Sequence, residues 1–354
     1  MKRQLLGVAA ILLSISTYAQ DNPLWMRYCA ISPDGTTIAF TYKGDIYTVP
    51  STGGRASQIT TNPAHDTKPI WSPDGKKIAF ASDRMGSMDI FEVNKEGGIP
   101  KRLTTHSGNE TPVAYKDAGH ILFLANIMPT AEDAQFPSGQ FQQVYEVNTE
   151  GGRPILFSSM PMEDISINHT GNTLLYHDKK GYEDPWRKHH TSSITRDIWL
   201  CSLNGNRTFR KQTAFNGEDR TPVWASDDKS FYYLSEEKGS FNIFKRDIDG
   251  NTSKQITNHT KHPVRFLSAA SNGTLCYGYD GEIYTVKEGA IPQKVQISIV
   301  TDKNDKDLIR QIKRSGATEI SLSPDAKEIA FVLRGDVYVT STEYSTCLLY
   351  TSDA

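Results

Sequence analysis

Apolar and polar positions along this chain alternate in short runs, and one run keeps returning. An acid or amide comes first, then Ile or Val, then an aromatic residue. The copies are Asp45-Ile46-Tyr47, Asp89-Ile90-Phe91, Gln143-Val144-Tyr145, Asp197-Ile198-Trp199, Asn242-Ile243-Phe244, Glu282-Ile283-Tyr284 and Asp336-Val337-Tyr338, spaced 40 to 54 residues apart. A period of that size marks a repeat architecture, in which one unit cannot cover its own apolar face and depends on its neighbours.

The clearest unit runs from Lys68 to Thr104. Lys68-Pro69-Ile70-Trp71 enters as a strand, with Pro at a position where no ladder donor is lost. Ser72-Pro73-Asp74-Gly75 is a turn: Pro presets φ, Asp can fold back on its own backbone, and Gly accepts φ > 0. Lys76 to Ala81 is a second strand, with Ile78 and Phe80 sharing one face. Asp89 to Val93 is a third, and Arg102-Leu103-Thr104, after a Gly97-Gly98 turn, a fourth. Ser32-Pro33-Asp34-Gly35 and Ser323-Pro324-Asp325-Ala326 repeat the turn, Ile38-Ala39-Phe40 and Ile329-Ala330-Phe331 the second strand, and Gln58-Ile59-Thr60 and Gln255-Ile256-Thr257 the fourth. Four strands joined by tight turns make an antiparallel meander, one blade of a propeller.

The predicted fold is therefore all-β: a six-bladed β-propeller of four-stranded antiparallel blades, followed by the first part of a second propeller. Blades fit 28–60, 66–104, 111–157, 163–213, 220–257 and 262–297, so the ring spans 21–297. Residues 298–317, rich in charge, read as a linker, and 318–346 as a partial first blade of the second ring. A single seven-bladed ring closed by 318–346 is the other layout. Residues 1–20 read as a cleavable signal peptide: Lys2-Arg3, an apolar stretch from Leu5 to Ile15 too short to span a bilayer, and Thr17-Tyr18-Ala19 before Gln20. The expected location is periplasmic or secreted, with no membrane span after cleavage. Residues 347–354, Cys-Leu-Leu-Tyr-Thr-Ser-Asp-Ala, do not continue the repeat and read as a sequencing-adapter translation.

Charge and cysteine narrow the chemistry. The chain has 39 Lys and Arg against 41 Asp and Glu; without Lys2 and Arg3 this is 37 against 41, a net of −4. No basic stripe stands out, so nucleic acid is not an expected partner. Cys29, Cys201, Cys276 and Cys347 have neither zinc spacing nor disulfide-scaffold density, and Cys29 and Cys276 lie within strand patterns as buried thiols.

No G-x-S-x-G elbow, H-E-x-x-H or C-x-x-C occurs. No catalytic residue, cofactor or metal site is assigned. His189-His190 is the one adjacent His pair and lies in a long polar connection of the fourth blade. Loops of that kind carry contacts, so Tyr182, Asp184, Trp186, Arg187, His189 and His190 are the candidate docking and channel residues. The link from Ala125 to Gln142 is a second candidate mouth lining. The repeated acids Asp45, Asp89, Asp197 and Asp336 read as structural, satisfying neighbouring backbone donors. Trp71, Trp199, Trp224 and Phe80 read as inter-blade core.

At the Ser-Pro-Asp-Gly blades, the insert from Gly181 to Ser192 followed by Arg196-Asp197-Ile198-Trp199, and the restart from Gly316 to Ser341, the chain resembles the N-terminal part of a bacterial tricorn-type serine peptidase. The resemblance covers 21–346. The blade motif is shared with TolB-like and WD40-like propellers; the insert and the restart are more particular. The resemblance implies a multi-domain parent with propellers, a PDZ-like module and a serine peptidase core outside this chain. It further implies a non-catalytic propeller that gates peptides and docks the downstream domains, with peptides as substrates and assembly into homo-oligomers open. A TolB-like periplasmic binding propeller and the gating propeller of a prolyl-oligopeptidase-type enzyme are the rival readings.

Overall fold

The computed structural model describes residues 23–127, 141–182, 184, 191–300, 315–343 and the backbone of 347–350. The signal peptide 1–20 and most of the linker 298–317 lie outside the described residues. Among the described residues there is no helix, and the strands form seven four-stranded sheets and one two-stranded pair.

The first sheet takes Arg27–Ile31, Thr37–Tyr42, Asp45–Pro50 and Ser57–Gln58 in chain order. The second takes Asp66–Trp71, Lys77–Ser82, Asp89–Asn94 and Lys101–Arg102. The third to sixth repeat the plan, opening with Thr111–Asp117, Met162–Ile167, Asp219–Trp224 and Arg265–Ala269. All pairings inside these sheets are antiparallel, as hairpin-joined neighbours require.

The opening strands touch one another from sheet to sheet, and Arg265–Ala269 returns to Arg27–Ile31, which closes a ring. Opening strands are thus innermost, and the ring's wall is built from them. The Ile-Ala-Phe second strand explains how each sheet serves two seams. Ile38 and Phe40 face the sixth sheet while Ala39 faces the second; Ile78 and Phe80 face the first while Ala79 faces the third. Successive side chains alternate faces, so large-small-large fills one seam deeply and leaves room across the other. Each buried Ile or Phe contributes about 1.5–3 kcal/mol. Trp71 and Trp224 reach back across their seams, their indole N–H donating to the carbonyls of Ala30 (2.9 Å) and Ser166 (3.0 Å). Trp199 instead bonds within its own sheet, to Asp178.

The Ser-Pro-Asp turn closes as its chemistry demands. Ser72 Oγ donates to Asp74 (2.7 Å) and accepts from the Lys77 N–H (2.9 Å), and the same bonds recur at Ser32 and Ser323. The repeated acid works differently from the expectation. The N–H after it is satisfied by the Thr of the fourth strand: Ile46 by Thr60, Ile90 by Thr104, Ile198 by Thr213 and Ile243 by Thr257, all at 2.9–3.0 Å. The acid or amide then accepts from that hydroxyl, as Asn242 does from Thr257 at 3.0 Å, or pairs with a base, as Asp89 does with Arg102 and Asp197 with Lys211, both at 2.8 Å. A hydroxyl both donates and accepts, so it can bridge the two strands where a carboxylate alone cannot.

The seam between first and sixth sheets joins the two ends of the ring and is bridged by backbone contacts. Met26 N–H donates to Gly281 O (3.1 Å), Ser271 N–H to Pro33 O (2.9 Å), and Ile297–Ser298 runs parallel to Gly54–Arg55. Gly53 has φ 92°, and a Cβ there would lie 2.6 Å from the Gln296 carbonyl, so only glycine fits this approach.

The seventh sheet is Ala317–Leu322, Glu328–Leu333, Asp336–Ser341 and Cys347–Tyr350. Its fourth place is taken by part of the octapeptide read as foreign, which pairs antiparallel with Val337–Thr340. The open edge of the preceding hairpin offers donors and acceptors to whichever extended segment follows it.

Candidate functional site: the axial wall

Each of the six innermost strands carries a β-bulge against its partner, and Thr111–Asp117 carries a second between Tyr115 and Asp117. The register slips between Arg27 and Ala30, Thr67 and Ile70, Pro112 and Ala114, Glu163 and Ser166, Arg220 and Val223, and Arg265 and Ser268. In five of them the bulge holds a non-glycine residue in the left-handed region: Tyr28, Lys68, Asp164, Thr221 and Phe266, with φ between 48° and 56°. A β-branched residue such as Thr221 rarely adopts that conformation. Bulges re-aim side chains and terminate pairing, and here they turn a belt of side chains toward one another around the axis.

The belt can be followed from sheet to sheet. Thr221 Oγ1 donates to Asp164 Oδ2 at 2.6 Å. The rings of Phe266 and Tyr28 lie 4.8 Å apart, and Lys68 Nζ sits 5.7 Å over the Tyr28 ring. The residues just before the bulges differ in sign around the ring. The first, fifth and sixth sheets supply Arg27, Arg220 and Arg265, and the fourth supplies Glu163.

On the acidic side, buried His177 is held from both ring nitrogens. Nε2 lies 3.2 Å from Glu163 Oε2, and Nδ1 lies 3.6 Å from Asp164 and 3.3 Å from the Thr221 N–H. Lys179 pairs with Glu163 at 2.7 Å. Burial pushes the Glu163 carboxyl up, but the His177 bond and charge together with Lys179 outweigh it and hold the group well below its ordinary range. Arg196 ties this cluster to the next sheet through Glu218 (2.9 Å), and Arg220 lies 3.4 Å from the same carboxylate oxygen, its guanidinium 4.0 Å over the Phe241 ring.

On the cationic side, burial first, then the charges of Arg220 and Arg27, bring Arg265 down to about 10, while Asp184 acts in the opposite direction. That places Asp184, from the fourth-sheet insert, within electrostatic reach of the sixth sheet. Tyr182 is 85% exposed. Trp186, Arg187, His189 and His190 lie outside the described residues, as does 128–140 of the other candidate mouth link. The belt itself escaped the sequence reading. Its one signal was a polar residue standing before the strand-opening proline, as in Lys68-Pro69 and Thr221-Pro222. Chemically, the wall carries guanidinium groups on the fifth, sixth and first sheets beside an acidic cluster on the fourth that His177 and Lys179 neutralise.

The family described as the tricorn protease N-terminal beta propeller domain matches residues 23–290. The chain belongs to that family. The tricorn propeller is similar to tricorn protease homolog 1 of Streptomyces coelicolor, 25% identical over 281 residues that cover 78% of this chain and 25% of the relative. It is also similar to the tricorn protease homolog of Saccharolobus solfataricus, 27% identical over 295 residues that cover 79% and 26%. It superposes on the crystal structure of the tricorn protease with a TM-score of 0.65 at 20% identity, covering 92% of this chain and 31% of that one, which establishes the shared fold. The tricorn propeller thus spans about a quarter of the length of the curated relatives it matches.

Proposed function

We propose that this chain is the non-catalytic N-terminal propeller of an exported tricorn-like serine peptidase, where it gates peptide passage and docks the downstream domains. The observation that carries the reading is the two-signed axial belt, with Arg220, Arg265 and Arg27 on the fifth, sixth and first sheets beside Glu163 and Asp164 on the fourth, in a ring of the tricorn N-terminal family. A polar wall of fixed charges lets an extended peptide slide past with its backbone solvated, and sorts peptides by charge without cutting them. Export to the periplasm or beyond rests on the leader pattern, and the peptide substrates rest on the relatives' peptidase identity.

The test is charge reversal in the full-length parent. Arg27→Glu with Arg265→Glu should slow turnover of long acidic peptides several-fold and leave a dipeptide-sized substrate unchanged. Equal effects on both lengths, or none on either, would remove the gate. The chain alone should show no peptide turnover that a serine-directed inhibitor abolishes.

A further inference from the structure

The ring closes where the sixth sheet meets the first, and the tail of the sixth sheet, Ile297–Ser298, pairs with Gly54–Arg55 there. That closing seam holds a pair of thiols. Cys29 lies in the innermost strand of the first sheet and Cys276 in the second strand of the sixth, Leu275–Tyr279, 247 positions later (276 − 29). Both are buried in the one apolar cluster that spans the seam, with Met26, Phe40, Ile283 and Val295. Cys29 Sγ donates to the Phe266 carbonyl at 3.5 Å, in the strand whose Ser268 pairs with Cys276, and the Cys29 thiol helps to hold Cys276 above its ordinary range. Their backbones are held by the same side chain: Ser268 Oγ lies 3.4 Å from the Cys29 carbonyl and 3.4 Å from the Cys276 carbonyl, and it accepts the Ile31 N–H at 3.0 Å. Cys201 sits in a different cluster, between the third and fourth sheets, and its thiol faces the Ser202 carbonyl.

We propose that Cys29 and Cys276 form a disulfide that locks the ring at the seam where its first and last sheets meet. Apolar packing alone does not call for sulfur on both sides of this seam, and a buried thiol otherwise behaves as a small hydrophobe. The chemistry is exchange with an oxidised dithiol, either a small-molecule disulfide or a disulfide-donating oxidase. One cysteine thiolate attacks a donor sulfur, forming a mixed disulfide and releasing one donor thiolate. The second cysteine thiolate then displaces the other donor sulfur. The pair loses two protons and two electrons, and the donor leaves as two thiols. Burial holds the Cys276 thiol well above its ordinary range, so exchange belongs to the moment of ring closure, while the seam is still open, and not to the sealed ring. The bond closes nearly the whole ring as one loop, and in the chain-entropy account the constraint on the unfolded chain grows with loop length.

The test uses the full chain carrying Cys201→Ala and Cys347→Ala, unfolded under reducing conditions and refolded in a buffer of oxidised and reduced glutathione. Alkylation in denaturant followed by peptide mapping should find both remaining thiols protected and a Cys29–Cys276 cross-linked peptide. The thermal midpoint should stand about 5 °C or more above that of the dithiothreitol-treated sample. The unsubstituted chain should give the same cross-linked peptide, and Cys276→Ala should make the midpoint insensitive to redox state. Two freely alkylated thiols, glutathione adducts in place of the cross-link, or a cross-link that leaves the midpoint unmoved or lowered would each overturn the proposal.

Discussion

The first and seventh sheets are written in nearly the same words and end in different surroundings. Ser32-Pro33-Asp34-Gly35 matches Ser323-Pro324-Asp325-Ala326, Ile38-Ala39-Phe40 matches Ile329-Ala330-Phe331, and Gly44-Asp45-Ile46-Tyr47 matches Gly335-Asp336-Val337-Tyr338. Both make the same turn bonds and hairpins, and both carry the bulge in the opening strand. Yet Ile38 and Phe40 are sealed, whereas Ile329 and Phe331 are only half-buried and Ile320 is 73% exposed. The stacked ring pairs Phe40 with Tyr47 at 5.8 Å, and the seventh sheet pairs Phe331 with Tyr338 at 5.4 Å. The motif thus specifies a sheet and its cross-strand pairs, and neighbouring sheets supply the burial.

The sharpest way to break that comparison is truncation at matched positions. Phe40→Ala should cost the ring about 3–5 kcal/mol, the range for deleting a buried aromatic, with Phe331→Ala costing the chain less than about 1 kcal/mol. Urea unfolding followed by tryptophan fluorescence reads both. Similar losses would mean that the seventh sheet is as well covered as the first.

Next comes the hydroxyl bridge. Thr257→Val keeps the shape but leaves the Ile243 N–H and the Asn242 carboxamide without their buried partner. It should cost about 1–3 kcal/mol, measured the same way, with faster exchange of the Ile243 amide. A neutral result would show that water replaces the hydroxyl.

A smaller effect separates the two turns. Gly35 has φ 77°, and a Cβ there would meet the Asn272 side chain at 2.3 Å, across the ring-closing seam, disturbing its bond to the Asp34 carbonyl. Gly35→Ala should lower ring stability by about 1–2 kcal/mol. Ala326 already stands at φ 58°, and Ala326→Gly should gain the seventh sheet up to about 1 kcal/mol of local stability, read as slower amide exchange in Glu328–Leu333. A loss at 326 would contradict the shared turn geometry.

The least effect, and the most diagnostic in sign, is the pH response of Asp219. Burial first, against hydrogen bonds from Ser235 and Thr213, pushes its carboxyl up to about 7. Between the unfolded value of about 3.9 and about 7 the folded chain holds the proton and the unfolded chain does not, so this group's contribution to stability falls as pH rises through that window. Asp325 in the seventh sheet shifts the opposite way, lowered by its bonds from Ser323 and Lys327. Asp219→Asn should therefore gain on the parent in thermal midpoint between pH 5 and pH 8, and Asp325→Asn should not. Parallel pH curves for Asp219→Asn and the parent would refute the assignment.

Much of this was readable in advance, for reasons that differ by element. The Ser-Pro-Asp turn and the Ile-Ala-Phe strand announce themselves because each residue's role is local: a preset φ, a hydroxyl that folds back, an alternation of two. The tricorn resemblance and the all-β ring followed from their fixed order. The Thr60-type bridge was misassigned to the acid because the Thr stands 14 or 15 residues from the N–H that it serves and meets it only once strands three and four pair. The axial belt was missed because a one-residue bulge leaves little mark beyond the polar residue before a strand-opening proline, as in Lys68-Pro69 and Thr221-Pro222. Of the six predicted docking residues, the described ones, Tyr182 and Asp184, lie on the insert, with Asp184 in electrostatic reach of Arg265.

By itself the chain determined its strands, its turns and their repetition, since these depend on contacts a few residues apart. Tertiary structure alone decided which of two near-identical sheets is sealed, how charges of both signs come to share one axial wall, and that Cys29 and Cys276 lie in one buried cluster. Those outcomes depend on partners far along the chain, whose meeting is set by ring closure and by how many sheets are present to bury one another's faces.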